Sequence, residues 1–309
     1  MKKRSLAIIS AIAGVCMLTT AAFANYQTAN GYDAFKKAVF NLPKYDNYTL
    51  KMNIEFSGDG KEFSNYTVSQ EYSKAAEAMH ELGVNVDDGQ YVSEYWVQDG
   101  KRIYHDNGEN GGYYGYSEGV FDRGGLEAIR FNNDDKTNAK VMRFAELFAD
   151  TVVGDLKNNF VCVEDGENSS TYEVNLSSIQ IPELINAGLG ALFSITNFNY
   201  EHDEYYQNEE NLSESDKMMM NLGDNATVDS VKCRFTVNKD NMLSSGEGTI
   251  VFVGQDKNGE KHDITVHGTL DITEVGSTVV PKLDTSNIKI DWFDYGEEDT
   301  EVNAEVAEN

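Results

Sequence analysis

The chain has 309 residues, 52 acidic against 25 basic side chains and a formal net charge of −27. Its 40% hydrophobic content is enough for a core, and its 3 prolines argue against collagen or a stiff proline-rich linker. The acidic balance argues against nucleic acid, because neutralising phosphates takes clustered Lys and Arg. It also argues against docking on anionic lipid through a basic patch.

Lys2, Lys3 and Arg4 precede an apolar run from Leu6 to Leu18, and Ala22-Phe23-Ala24 supplies a small-x-small cleavage pattern. Residues 1–24 therefore read as a signal peptide, with Asn25 as the mature N-terminus. An uncleaved anchor is the alternative, but the run is shorter than the ~20 residues a span needs. Val15 precedes Cys16 where a lipobox wants Gly, Ala or Ser, so lipidation is not expected. The basic leader suits a bacterium, and no wall-sorting motif follows. The expectation is a secreted or extracellular protein, held at the cell surface only by non-covalent contacts.

Within residues 25–293, Tyr32, Phe35, Val39 and Leu42 recur at helical spacing until Pro43 stops the run. Tyr48, Leu50, Met52, Ile54 and Phe56 then alternate with polar residues, the mark of a strand with one buried face. A second strand follows the Gly58-Asp59-Gly60 turn, and residues 75–82 read as a short helix. Residues 91–98 and 102–105 flank Asp99-Gly100, a strong hairpin signal. Residues 110–125, rich in Gly and Tyr, read as irregular, and Val141, Phe144, Phe148, Val152 and Leu156 mark a long helix over 138–156.

A hairpin around Asp165-Gly166 comes next, then a helix over 181–195 with Pro182 in its first turn. Residues 201–224 form an acidic, Asn-rich insertion with a helical turn at Met218-Met219-Met220. A meander of strands at 228–237, 246–253 and 262–273 closes the fold, and residues 294–309 read as an acidic disordered tail. The order predicts an α+β fold: an extended antiparallel, half-barrel-like β-sheet with helices packed on its concave face, in a single domain. Two similar halves, each a helix leading into a meander, is the alternative.

The stretches "NYTLKMNIEF", "YWVQDGKRIY" and "GTIVFVGQDKNGEKHDITVHGTLDI" in this order resemble the lipoprotein-carrier superfamily, with its LolA-like and LppX/LprG-like members. The resemblance implies a half-barrel sheet around a hydrophobic cavity closed by helices. No functional residue carries over from it, because it rests on pattern rather than on a motif.

Chemistry-bearing motifs are sparse. Asp256-Lys257-Asn258-Gly259 opens like a calcium loop but lacks the later EF-hand ligands, and its place between alternating strands makes it a hairpin turn. His262 and His267 differ by an odd number and face opposite sides of one strand. There is no HExxH or GxSxG motif, and Ser286-Asn287-Ile288-Lys289 has no S-D-N or K-T-G to accompany it. No catalytic residue, metal site or cofactor is expected, and the protein is not expected to be an enzyme.

The helix over 181–195 is the main candidate site. Leu184, Ile185, Leu189, Leu192 and Phe193 spread its apolar surface well beyond the stripe that one sheet would cover. They line either a filled core or a cavity for a hydrophobic small molecule or lipid, and Gly188 and Gly190 weaken the helix enough to let it bend. The alternative function is an interaction module presenting acidic loops and Tyr113, Tyr114, Tyr116, Tyr205 and Tyr206 to an envelope protein or glycan. Those tyrosines could equally pack over the sheet edge. Cys162 and Cys233 alternate with apolar neighbours and sit on strands separated by a third, about 9–10 Å apart. A disulfide needs Cα atoms within roughly 7 Å, so two free, buried thiols are expected.

Overall fold

The structure is a computed structural model that describes residues 30–86, 90–108, 111–116, 159–183, 185–187, 189, 214–223 and 225–293. It opens with α1 (Asn30–Asn41), which Pro43 ends in a single 3₁₀ turn. The strands follow: β1 (Asn47–Gly58), β2 (Lys61–Ser73), β3 (Ala78–Val86), β4 (Gln90–Gln98), β5 (Lys101–Asp106) and β6 (Tyr113–Tyr116). After β7 (Phe160–Asp165) and β8 (Ser169–Ser177) comes α2 (Glu214–Asn221). The remainder is β9 (Thr227–Asn238), β10 (Leu243–Gln255), β11 (Lys261–Thr273) and β12 (Ile290–Phe293).

All twelve strands belong to one open sheet, in the order β12-β6-β5-β4-β3-β2-β1-β11-β10-β9-β8-β7. Two meanders, β1–β6 and β7–β11, meet where β1 pairs with β11, and every neighbouring pair is antiparallel except β12 with β6. The expected hairpins are present. Asp99 and Gly100 hold φ of 52° and 73°, the two left-handed residues that a two-residue hairpin turn requires. The closing meander also matches: Ile264, Val266 and Ile272 are buried, while Asp271 and Lys261 are exposed.

Two expectations are corrected. Residues 75–82 are not a helix: after a turn ending at Glu77 (φ 46°), residues 78–86 are β3, paired on both sides by β2 and β4. Two ladders outweigh the helix propensity of Ala75, Ala76, Glu77 and Met79. Within 110–125, residues 113–116 are a strand rather than irregular. The four-residue β12 gave no strong signal because it is short and lies at the edge. The long helix over 138–156 and the tail 294–309 lie outside the described residues.

One face of the sheet, here the core face, carries Tyr48, Leu50, Phe56, Val231, Phe235, Ile250, Phe252, Ile264, Val266 and Ile272, all buried. The helices contact this face. Gly254 shows how closely: the carbonyl of Leu222, just beyond α2, lies where a Cβ on Gly254 would have to be, and Gln255 N donates to the same carbonyl at 3.2 Å. Gly254→Ala is expected to destabilise the protein by about 1–3 kcal/mol, read as a lower urea midpoint. Gly246→Ala, at an open position of the same strand, is expected to leave the midpoint unchanged or raise it.

Candidate ligand-binding face

α1 covers the core face toward the β7 edge. Phe35 meets Phe235 at 5.0 Å between ring centroids, and Phe160 and Tyr32 complete the aromatic layer. Gly31 sits so close to Phe160 that a Cβ there would press on it, which fixes how deeply α1 seats. The other end of the face lies toward the β10–β11 turn. There Met219 and Leu222 are buried, and Met218 Sδ packs over Gly58. Residues 183, 185–187 and 189 are helical beside them, tied down where Val228 N donates to Asn186 Oδ1 at 3.0 Å.

Between these two covers three neighbouring positions of the sheet carry no side chain. Gly246 and Gly248 alternate on β10, and Gly268 of β11 stands opposite Gly248, so all three face the same side as Phe235 and Ile250. Among the described residues no atom lies within 4 Å of a Cβ built on Gly246, and only strand backbone approaches those of Gly248 and Gly268. Cys233 and Ile54 flank the glycine row across the strands; Leu270 and Val266 flank it along β11. The result is a backbone-floored hollow with apolar walls, its glycines half-buried.

Toward β3 the same face turns polar. Tyr48 Oη donates to Gln70 Oε1 at 2.7 Å, and Gln70 Nε2 donates to Glu81 Oε2 at 2.5 Å. Burial raises the phenol of Tyr66, with Glu81 adding to the shift. Tyr95 and Tyr104 lie 4.6 Å apart, and Tyr114 and Tyr116 pack on Phe293. The Tyr113–Tyr116 run therefore packs along the sheet edge rather than standing in a loop.

The outer face carries different chemistry. His80 stacks on Trp96 while its Nδ1 and Nε2 lie 2.8 and 2.9 Å from Glu71 and Glu94. A shallow depression of about 290 Å³ among Lys51, Asn53, Thr67, Ser69, Leu82 and Val84 has a mostly apolar surface and lies across the sheet from the glycine floor. At the hairpin tips, donor atoms of Asp256, Glu260 and His262 come within 4.8 Å of one another. Asp256 spends Oδ1 on the amides of Asn258 and Glu260 and Oδ2 on Asn258 Nδ2, as a hairpin turn requires.

Of the five sequence-predicted site residues, Leu189 is buried at 2% exposure and Ile185 packs partly buried against the core. Leu184, Leu192 and Phe193 lie outside the described residues, as do Tyr205 and Tyr206. The glycine floor was missed. Its signal was present as two glycines at alternate positions inside one strand pattern and a third inside the next, which mark close backbone approach or a gap.

No known protein family matches the chain, and no curated protein matches it. One solved structure that it resembles is described as a beta-barrel-like protein of domain of unknown function DUF1849 from Brucella abortus. That chain shares 9% identity at a TM-score of 0.19, over 73% of this chain and 98% of its own. So slight a likeness carries no argument about fold or function.

The cysteines depart from expectation in one respect. Both are free, but Cys162 is exposed. It shares the register side of Phe160, yet β7 is the edge strand, and only Phe160 lies beneath α1. A register shift between Cys162 and Glu164 breaks the alternation there. Burial pushes the Cys233 thiol up to about 12. Native protein should react with a thiol reagent at Cys162 and, roughly a hundredfold more slowly, at Cys233. Both should label in denatured, unreduced protein; a single or absent label would overturn the free-thiol assignment.

Proposed function

We propose that the chain is an exported, non-catalytic bacterial envelope protein that binds a hydrophobic ligand, a lipid or similar small molecule, on the core face. In this reading the sheet curls as a half-barrel, α1 and α2 close its two ends, and Ile185, Leu189, Leu184, Leu192 and Phe193 supply wall. The glycine floor of Gly246, Gly248 and Gly268 carries the proposal. A sheet built only to fill its own core would gain by placing Val or Ile there, since glycine inside a strand costs about 0.5–1 kcal/mol relative to alanine. Three such positions grouped on one apolar face make sense if the gap is occupied by something other than the sheet. The LolA-like pattern of the sequence points the same way.

A second reading, an interaction module for an envelope protein or glycan, draws support from Trp292 and Phe293, which stay 43% and 48% exposed on edge strand β12.

One variant separates the two. Gly248→Val is expected to raise the melting temperature, because it fills a gap and favours the strand, yet to lower uptake of a fluorescent fatty-acyl probe at least tenfold. Lipid should co-purify with wild-type protein and be detected by mass spectrometry of a native extract. If wild-type protein takes up no probe and yields no lipid, the carrier reading fails and the interaction module replaces it.

A further inference from the structure

The tips of two hairpins meet at Asp59. Its backbone N donates to Asp263 O at 3.2 Å, and its carboxylate accepts Asp263 N at 3.1 Å and the His262 Nδ1 proton at 2.7 Å. This junction extends the β1–β11 ladder one step beyond its last pair, Gly58 with Ile264. It lies on the same side as α2. His262 is the strand partner of Gly254, on which the end of α2 rests, and Gly58, next to Asp59, is where Met218 packs.

α2 is thus seated on both hairpins at once. It holds the first through Met218 on Gly58 and through Lys61 Nζ, 3.6 Å from Glu214 Oε2. It holds the second through Gln255 N on Leu222 O. The β1–β11 and β10–β11 ladders set the spacing between those footholds, and the Asp59–His262 contact ties the ladder ends together beside Gly58 and Gly254, where α2 is seated. We propose that the Asp59–His262 pair is a proton-controlled latch, which keeps α2 seated over the tip end of the core face and lets it lift as the medium turns alkaline. The latch rests on the ligand-binding reading for its purpose, but not for its operation.

The sign follows from the groups around the ring. Facing His262 are Asp59 from the first turn, and Asp256 and Glu260 from the second; the charged groups α2 contributes nearby, Glu214 and Lys217, pair with each other and with Lys61. The imidazole side chain is 14% exposed and faces no cation among these. The bond to Asp59 raises the pKa of His262 above its ordinary value, and the bond from His262 lowers that of Asp59. The His262 contribution is complete below the imidazole's ordinary pKa and is lost as pH rises through the raised one. The Asp59 contribution is present above the ordinary carboxylate pKa and is lost only in strong acid as pH falls through the lowered one. The latch is closed through mildly acidic to neutral pH and opens above it.

Hydrogen exchange of the α2 amides, corrected for intrinsic rate, tests the latch without a ligand. Protection at residues 214–223 should fall about two- to fivefold between pH 6 and pH 8.5, the scale of one partly exposed ion pair, while protection in β4 stays constant. His262→Gln, which keeps a hydrogen-bond donor but cannot titrate, should remove the pH dependence, and Asp59→Asn should lower protection at both pH values. Equal wild-type protection at the two pH values, or an unchanged pH dependence in His262→Gln, overturns the proposal. Acyl-probe release measured in parallel should accelerate with pH in wild type alone. Loss of protection with pH in a protein that binds no probe would leave the latch standing and remove the carrier reading.

Discussion

Thr49 and Thr273 lie 224 residues apart, yet the Thr273 hydroxyl donates to the Thr49 carbonyl. The strands that carry them stay in unbroken register to Gly58 and Ile264. This one pairing turns two meanders into a sheet. It also aligns their apolar faces: Leu50 against Ile272 and Phe56 against Val266 continue one hydrophobic surface from β2 to β8. Because side chains alternate with a period of two, a slip by one residue would turn the apolar half of either meander to water. The glycine floor, the seats of both helices and the meeting of the hairpin tips all depend on that register.

What the sequence revealed follows from how strictly local each signal was. Strands with one wet face, such as residues 48–56 and 262–273, announce themselves by alternation, and Asp99-Gly100 fixes its own hairpin. β3 was misread because Ala, Glu and Met favour helix in isolation, and only the neighbouring ladders, invisible in one segment, make it a strand. Cys162 was misplaced for a similar reason: alternation says which side a residue faces, not whether anything covers that side. The candidate site was partly legible. The apolar character of Ile185 and Leu189 was plain, whereas the glycine floor exists only once β10 and β11 are set side by side.

The two faces of the sheet divide the work. The core face gathers apolar side chains and leaves a gap among them; the outer face settles its charges in local pairs such as Glu173 with Arg234 and in the stack of His80 on Trp96. Exposed pairs of this kind contribute little stability individually. Their use is to keep a strongly acidic surface soluble while cross-strand partners stay compatible.

The segment that follows β11 adds a consequence in time. Beyond Thr273 the chain is tied to Asn47 through Gly276 and Thr278, exchanges two hydrogen bonds between Leu283 and Gln98, and reaches the far edge, where β12 lies parallel to β6. Trp292 rests over Gly115, the strand partner of Ile103, and Lys101 lies over its ring. A chain made from its N-terminus completes β1–β6 long before β11 or β12 exists. Until then β1 and β6 are both bare edges, each able to pair with a neighbouring chain. Synthesis order therefore sets a long interval in which the first meander must be shielded, until β11 covers β1 and β12 covers β6.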